Sequence, residues 1–576
     1  MKYSVFYQNP HQRLINIEFF TNVNKNKTIL RLPSWRPGRY ELGNFAKNIV
    51  KFEVLNNKGQ SLPFNKLSKD SWEVLTANET VIRVKYNVFT PDFNAGACWI
   101  DSKQLYINGI HCFLYDEDKI NEPCELNLSI PKEFKTVIGL KQTGSNHFIA
   151  KDYHELVDSP FVSSPTLIKH TITEQNILFN LWFQGVSEVP FEQLEKDFRP
   201  FIKEQLSLFK EFVAGEYHFI FQITPYKHYH GVEHTTSTVI TLGPAKDVFN
   251  KPLYHELLGI SSHELFHCWN IKSIRPAEML PYRYHQENYT KLGYVAEGVT
   301  TYYGDYILFR SKVFNQDEFF KCMNNWLEKH FENFGRFNKS VADSSFDTWL
   351  DGYVAGVPNR KTSIYNEGAL CAFILDVLIR KHTNNSHSLD DVMLKLFYDF
   401  GKKEIGYTAQ NFREIAEEVA GTSLCSYFDD IVNGTKDYEP YLTDCFNYLG
   451  LQLNKENCTH LYESLYGFKT INDGNHIKIR LVYPDSIADR AGLMVGSSLI
   501  KINNLEVNKE TIEKAIEELG KNEILLELDN FGHSAFLKIK SSSKQFFKKY
   551  SIQLKENTDN KTKSNYALWS NNRLND

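Results

Sequence analysis

One helical turn, His263-Glu264-Leu265-Phe266-His267, constrains this chain more than any other stretch. The pattern His-Glu-x-x-His puts two imidazoles at i and i+4, on one face of a helix and one turn apart. Both can reach a single metal ion, and Glu264, beside the first, can reach a water on that ion. Such a short pattern recurs by chance, so its flanks carry the weight. Pro252 near the start and Pro276 beyond the end predict a helix over residues 252–272. Leu257, Leu258, Ile260, Leu265, Phe266 and Trp269 give it an apolar side. Two histidines without partners on such a half-buried helix are costly, and a metal ion satisfies both.

A catalytic zinc takes three protein ligands and keeps a fourth position for water. The stretch Gly293-Tyr-Val-Ala-Glu297-Gly-Val-Thr-Thr-Tyr-Tyr-Gly304 predicts a second helix. Glu297 lies there among Val295, Ala296, Val299, Tyr302 and Tyr303, and a carboxylate in such company needs a partner. It is the candidate third ligand; the alternative is a surface glutamate. Cys268, about 100° around the helix from His267, reads as a packing residue.

The run from His263 to Pro276, followed by Ala296-Glu297-Gly-Val-Thr, resembles the M61 glycyl aminopeptidase family, which stands among the gluzincins and is similar in mechanism to the M1 aminopeptidases. Gly231-Val-Glu233-His234 resembles the exopeptidase strand motif of these enzymes, and Tyr365-Asn-Glu-Gly368 their catalytic tyrosine motif. The resemblance implies one Zn2+ per chain on His263, His267 and Glu297, with Glu264 as general base. It implies Tyr365 as a donor to the oxyanion and Glu233 as the carboxylate that receives a free α-amine. Peptides are the expected substrates, with Gly or another small residue first. An edge strand beside the metal can also add the substrate backbone as a further strand. His234 either faces the metal pocket or packs. Asn366 and Glu367 stand where the M1 pattern often has Glu and Lys, a departure that alters the local pocket and leaves the phenol.

At 576 residues the chain is too long for one core. Period-2 alternation in Leu14–Phe20 and Val81–Phe89 marks residues 1–170 as an amino-terminal β domain, interrupted by the Pro/Gly-rich loop from Leu32 to Tyr40. Residues 171–440 read as a thermolysin-like (gluzincin) catalytic domain, mostly helical with a small sheet. Helical spacing is expected over 190–213, 315–333, 363–380, 388–400 and 408–420, with a loop at 334–362. In 445–545, Ser486-Ile-Ala-Asp-Arg-Ala-Gly-Leu-Met-Val-Gly496 resembles a PDZ domain of bacterial type, with Ser497 in place of the usual acidic residue. Such a domain either binds a peptide C-terminus by β-augmentation or only buttresses the peptidase. Residues 546–576 read as a polar tail. The fold class is therefore multidomain α+β.

The net charge of −5 points to no nucleic-acid or acidic-membrane partner. No run of 18 apolar residues signals a transmembrane segment, and the start reads as a strand without a signal-peptide core. Nine cysteines, an odd number without paired spacings, fit reduced thiols and a cytoplasmic location. Two other classes remain: a zinc endopeptidase, and a catalytically silent scaffold in which the PDZ-like domain is the working part. The intact set of ligands, base and tyrosine speaks against the scaffold.

Overall fold

The computed structural model describes residues 1–354, 356–474, 476–508, 511–517 and 523–571. The amino-terminal region is built from β-sheets. Strands Leu14–Asn22 and Val81–Phe89 pair antiparallel in full register inside a seven-stranded sheet, and each alternates buried and half-buried along its length. Their inward residues, among them Ile15, Ile17, Phe19, Val84 and Tyr86, meet Trp72 and Val74 of a four-stranded sheet. This core does not stop at the domain edge. Tyr282, Tyr284, Ala296, Trp349 and Ile364 of the following domain belong to it. Trp35, fully buried, is the joint: its ring stands edge-on to Tyr282 at 5.5 Å and to Trp349 at 5.0 Å. The loop from Leu32 to Tyr40 is thereby fixed against the second domain.

That domain opens with a five-stranded sheet ordered Ile168–Glu174, Ile177–Gln184, Glu216–Ile223, Ser237–Gly243 and His228–Glu233. The last strand lies at the edge, antiparallel to Ser237–Gly243, with Glu233 opposite Thr238. Helix Phe191–Phe209 covers one face of the sheet with Leu194, Phe198, Phe201 and Ile202. Helices Leu253–Phe266, Thr300–Arg310, Gln316–Glu332, Asn366–His382, Leu389–Asp399 and Ala409–Ala420 enclose one continuous apolar core. The segment 334–362, expected as loop, holds the short helices Val341–Phe346 and Thr348–Asp351; Ser340 caps the first by accepting from the Asp343 amide. Such short turns have too few residues to show a helical period.

The third unit is a small β domain with its own core of Tyr466, Phe468, Ile479, Leu499, Ile502, Ile524 and Leu526. It is set between two strands, Leu451–Asn457 and Lys548–Leu554, that pair antiparallel from Leu451↔Leu554 to Asn457↔Lys548. The end of the chain therefore corrects the expectation of a polar tail at 546–576. Lys548–Leu554 is a paired strand and Asn560–Trp569 a helix capped by Asp559. A mostly polar composition hides a few apolar anchors: Ile552 is buried and Trp569 is wholly buried in the catalytic core. Trp569 stacks on Tyr306 at 5.4 Å, and its carbonyl accepts from the Tyr306 hydroxyl at 2.6 Å.

Replacing Trp569 with Ala leaves a ring-sized hole in that core. The expected cost is about 3–5 kcal/mol, read as a fall in the denaturation midpoint; an unchanged midpoint contradicts the docking of this helix.

Candidate metal centre

The ligand helix, Leu253–Phe266, has His267 as its C-cap and ends six residues short of its expected limit. Asn270 folds the chain back. Its carbonyl accepts from His267 Nδ1 at 2.8 Å, and its side-chain amide donates to Val295 O at 2.8 Å and Thr300 Oγ1 at 3.0 Å. The reversal leaves Ile271 at φ 123°, a strained value for a β-branched residue. With Nδ1–H engaged on a carbonyl, His267 turns its Nε2 lone pair to the cleft.

His267 Nε2 lies 3.0 Å from His263 Nε2 and 3.5 Å from Glu297 Oε2, and His263 Nε2 lies 3.9 Å from that same oxygen. Glu297 sits in a single widened π-helical turn, Tyr294–Val299, that runs into Thr300–Arg310; such turns cluster at functional sites. Its other oxygen, Oε1, accepts from the Tyr40 hydroxyl at 3.1 Å. Tyr40 comes from the amino-terminal domain.

A second group of donor atoms overlaps the first: Glu233, Glu264 and His267 all lie within 4.8 Å of one another. Both carboxylates are buried, and Glu264 Oε2 and Glu233 Oε1 have no hydrogen-bond partner. Burial lifts the Glu264 carboxyl to about 8; Glu233 and Glu297 add to the rise and His267 opposes it. On His267 burial works against the charge, yet the Glu297 carboxylate outweighs it and carries the imidazole to about 10. Burial, and then His267, hold His263 well below its ordinary value. The pocket is short of positive charge. Two imidazoles and a carboxylate converging beside orphaned oxygens fit zinc with one position left for water.

The edge strand His228–Glu233 runs across this centre. Tyr229, Gly231 and Glu233 alternate onto one face. A Cβ on Gly231 would fall 2.2 Å from Glu264 Oε1, so only glycine lets the strand cross the carboxylate. On the far side, a Cβ on Gly38 would fall 2.3 Å from Glu233 Oε2. The loop of the amino-terminal domain thus packs directly against the Glu233 carboxylate. Arg36 of that loop is buried and donates beside His230 Nε2 at 3.0 Å.

His234 turns away from the metal pocket. Its Nδ1 lies 3.2 Å from Asp158 Oδ1. Asp158 also accepts from Lys272 Nζ at 2.6 Å and from the Thr235 amide and hydroxyl at 3.0 and 2.6 Å. This carboxylate of the amino-terminal domain ties the end of the anchor strand to the chain leaving the ligand helix. Burial penalises its charge, but Lys272 prevails and holds it below the usual carboxylate range.

Tyr365 stands at the start of helix Asn366–His382 and lines the same cleft, a space of about 1230 Å³. Burial, and then Glu297, raise its phenol well above the ordinary value, so it stays protonated and able to donate. Glu367 leaves the cleft: it is buried, with Oε2 at 3.0 Å from His330 Nδ1. Cys268 is buried with Sγ toward Thr235 O. Tyr40, Arg36, Gly38, Tyr353 and Asp158 were not singled out by sequence reasoning. The one signal for the first three was the loop Trp35-Arg-Pro-Gly-Arg-Tyr40, legible as a loop and silent about where it lands.

Residues 2–165 match the Peptidase M61 N-terminal domain and residues 256–371 the M61 glycyl aminopeptidase domain. No curated protein matches the chain. The crystal structure of an aminopeptidase N family protein from Idiomarina loihiensis is 24% identical, covers 99% of this chain and 99% of that one, and superposes with a TM-score of 0.90, which shows a shared fold. A variant M1 zinc metallopeptidase from Deinococcus radiodurans with a Tyr-Ser-Ala substrate bound is 12% identical over 76% of this chain and 94% of that one. Its TM-score of 0.46 is too low to argue from.

Replacing Asp158 with Ala strands Lys272 as a buried unpaired cation. The expected loss is about 3 kcal/mol or more at neutral pH. Because the folded carboxyl is held low, this stabilisation is present above the unfolded value near ~4 and is lost as pH falls through the folded one. Melting curves of the two proteins should therefore converge in acid; a constant gap down to the acid limit contradicts the pairing.

Proposed function

With an M61 amino-terminal domain over 2–165 and an M61 glycyl aminopeptidase domain over 256–371, the chain is an M61-type peptidase, and we propose that it is a zinc-dependent aminopeptidase that releases the first residue of peptides, preferentially Gly or another small one. One observation carries the reading. In the cleft that runs past the candidate metal ligands, the backbone of Gly38 packs directly against the Glu233 carboxylate. A peptide whose first residue reached this place would bring its ammonium group to a buried carboxylate oxygen that has no hydrogen-bond partner.

His263, His267 and Glu297 would hold the zinc, one per chain. Bound there, zinc supplies a Lewis acid and an acidified water. Glu264 takes the proton of that water and passes it to the leaving amine. Tyr365 donates to the oxyanion of the tetrahedral intermediate. Glu233 fixes the α-ammonium and so decides which peptide bond lies at the metal. The free edge of His228–Glu233 accepts the substrate backbone as an added strand. Tyr40, by holding Glu297 Oε1, leaves Oε2 for the metal.

The small β domain at 445–545 is read as PDZ-like and as a support. Lys469 and Arg480 both reach Glu332, at the end of the cleft-lining helix Gln316–Glu332, and Arg480 does so at 2.8 Å. A peptide C-terminus on this domain is the second reading. All nine cysteines are free thiols, which favours a reducing compartment such as the cytoplasm. Among the described residues no helix is long and apolar enough to cross a membrane.

Glu264→Gln is expected to keep its zinc and lose turnover by at least about a hundredfold. Substantial residual activity refutes the base assignment. Glu297→Ala is expected to lose most bound zinc by elemental analysis. The wild type should leave N-acetylated peptides uncut, and Glu233→Ala should depress cleavage of free-amine substrates while leaving blocked ones no worse. Efficient cleavage of blocked peptides would make the chain an endopeptidase.

A further inference from the structure

Tyr353 lies on the turn between helices Thr348–Asp351 and Asn366–His382, and its hydroxyl faces the cleft. Two hydrogen-bonding groups meet it. The Tyr365 hydroxyl is 3.3 Å away and the backbone N–H of Tyr40 is 3.4 Å away. An amide N–H can only donate, so the Tyr353 oxygen takes that hydrogen. Either hydroxyl can donate across the contact with Tyr365. When Tyr353 donates, Tyr365 accepts at its oxygen and its own hydrogen is left for the cleft. Among the described residues the Tyr365 hydroxyl has no other hydrogen-bond partner.

We propose that Tyr353 is a positioning residue that aims the Tyr365 hydrogen at the oxyanion, through a one-way relay from Tyr40 N–H to Tyr353 to Tyr365. This rests on the role proposed above for Tyr365. The main-chain amide fixes the first bond, and it polarises the Tyr353 hydroxyl as a donor to Tyr365. Without Tyr353 the Tyr365 hydroxyl is free to turn away from the reacting carbonyl.

The position of Tyr353 is fixed by the amino-terminal domain. The Arg39 guanidinium lies 5.1 Å from the centre of the Tyr353 ring, and Arg39 is itself paired with Glu41. Residues 39 to 41 therefore place both ends of the system: Arg39 holds the Tyr353 ring, the Tyr40 amide starts the relay, and the Tyr40 hydroxyl holds Glu297. Tyr353 is half exposed and touches neither the candidate ligands nor Glu264 by hydrogen bond, so it was invisible to motif reading.

The test is a double-mutant cycle on the zinc-loaded full chain, with Gly and Ala p-nitroanilides as substrates. Tyr353→Phe keeps the ring and removes the hydroxyl. The expected loss in kcat is roughly tenfold, short of the hundredfold or more for a missing oxyanion donor, with KM within about twofold. In the Tyr365→Phe background the same change should have no further effect. The affinity of a phosphinic dipeptide, which mimics the tetrahedral intermediate, should fall by the same factor as kcat and reports on variants too slow to assay. Wild-type kcat in Tyr353→Phe, or an equal loss in both backgrounds, overturns the relay. A Tyr365→Phe enzyme with full kcat overturns the oxyanion reading itself, and the two failures are distinct. Zinc content and melting temperature are measured beside each variant, and a fall in kcat matched by lost zinc also counts against the relay.

Discussion

The centre is organised by an excess of buried negative charge. Glu233, Glu264 and Glu297 crowd around two imidazoles, and three carboxylates taken out of water cost several kcal/mol each unless cations meet them. Arg36 balances only part of this. A divalent ion on neutral His263 and His267 and on Glu297, with an ammonium on Glu233, would balance the rest under the proposed function. Much of the surrounding structure serves to keep these like charges close. Asn270 ends the helix where His267 needs it, the π-helical turn aims Glu297, and Gly231 lets a strand cross Glu264.

The amino-terminal β domain does more than support its neighbour. Through Trp35 it shares a core with the peptidase domain, and through Asp158 it pins Lys272 and His234. Its loop supplies Gly38 behind Glu233 and Tyr40 on Glu297. The site is therefore split between two domains, and the reaction proposed for it needs both.

Local pattern made much of this legible. The i, i+4 histidines and the glutamate among apolar neighbours at 297 could be read because their surroundings in sequence are also their surroundings in space, whereas Glu233 was legible only through the resemblance of its strand motif. The long helices followed from their periods; of the sheet only its presence was legible, and its five-stranded order was not. What escaped reading depends on distant contacts. Tyr40 meets Glu297 across 257 residues, and Asp158 meets Lys272 across 114. The early end of the ligand helix depends on Asn270 reaching Val295, which no propensity for 267–272 contains. The segment after 545 looked like a tail because polarity averages over a window, whereas docking turned on single residues such as Trp569.

The bond between Tyr306 and Trp569 spans 263 residues. Helices bearing the proposed ligands leave the ribosome long before the ring that completes their packing. At an elongation rate of ~5–20 residues per second, the interval is on the order of tens of seconds. During that time the helical domain lacks the ring that closes its core.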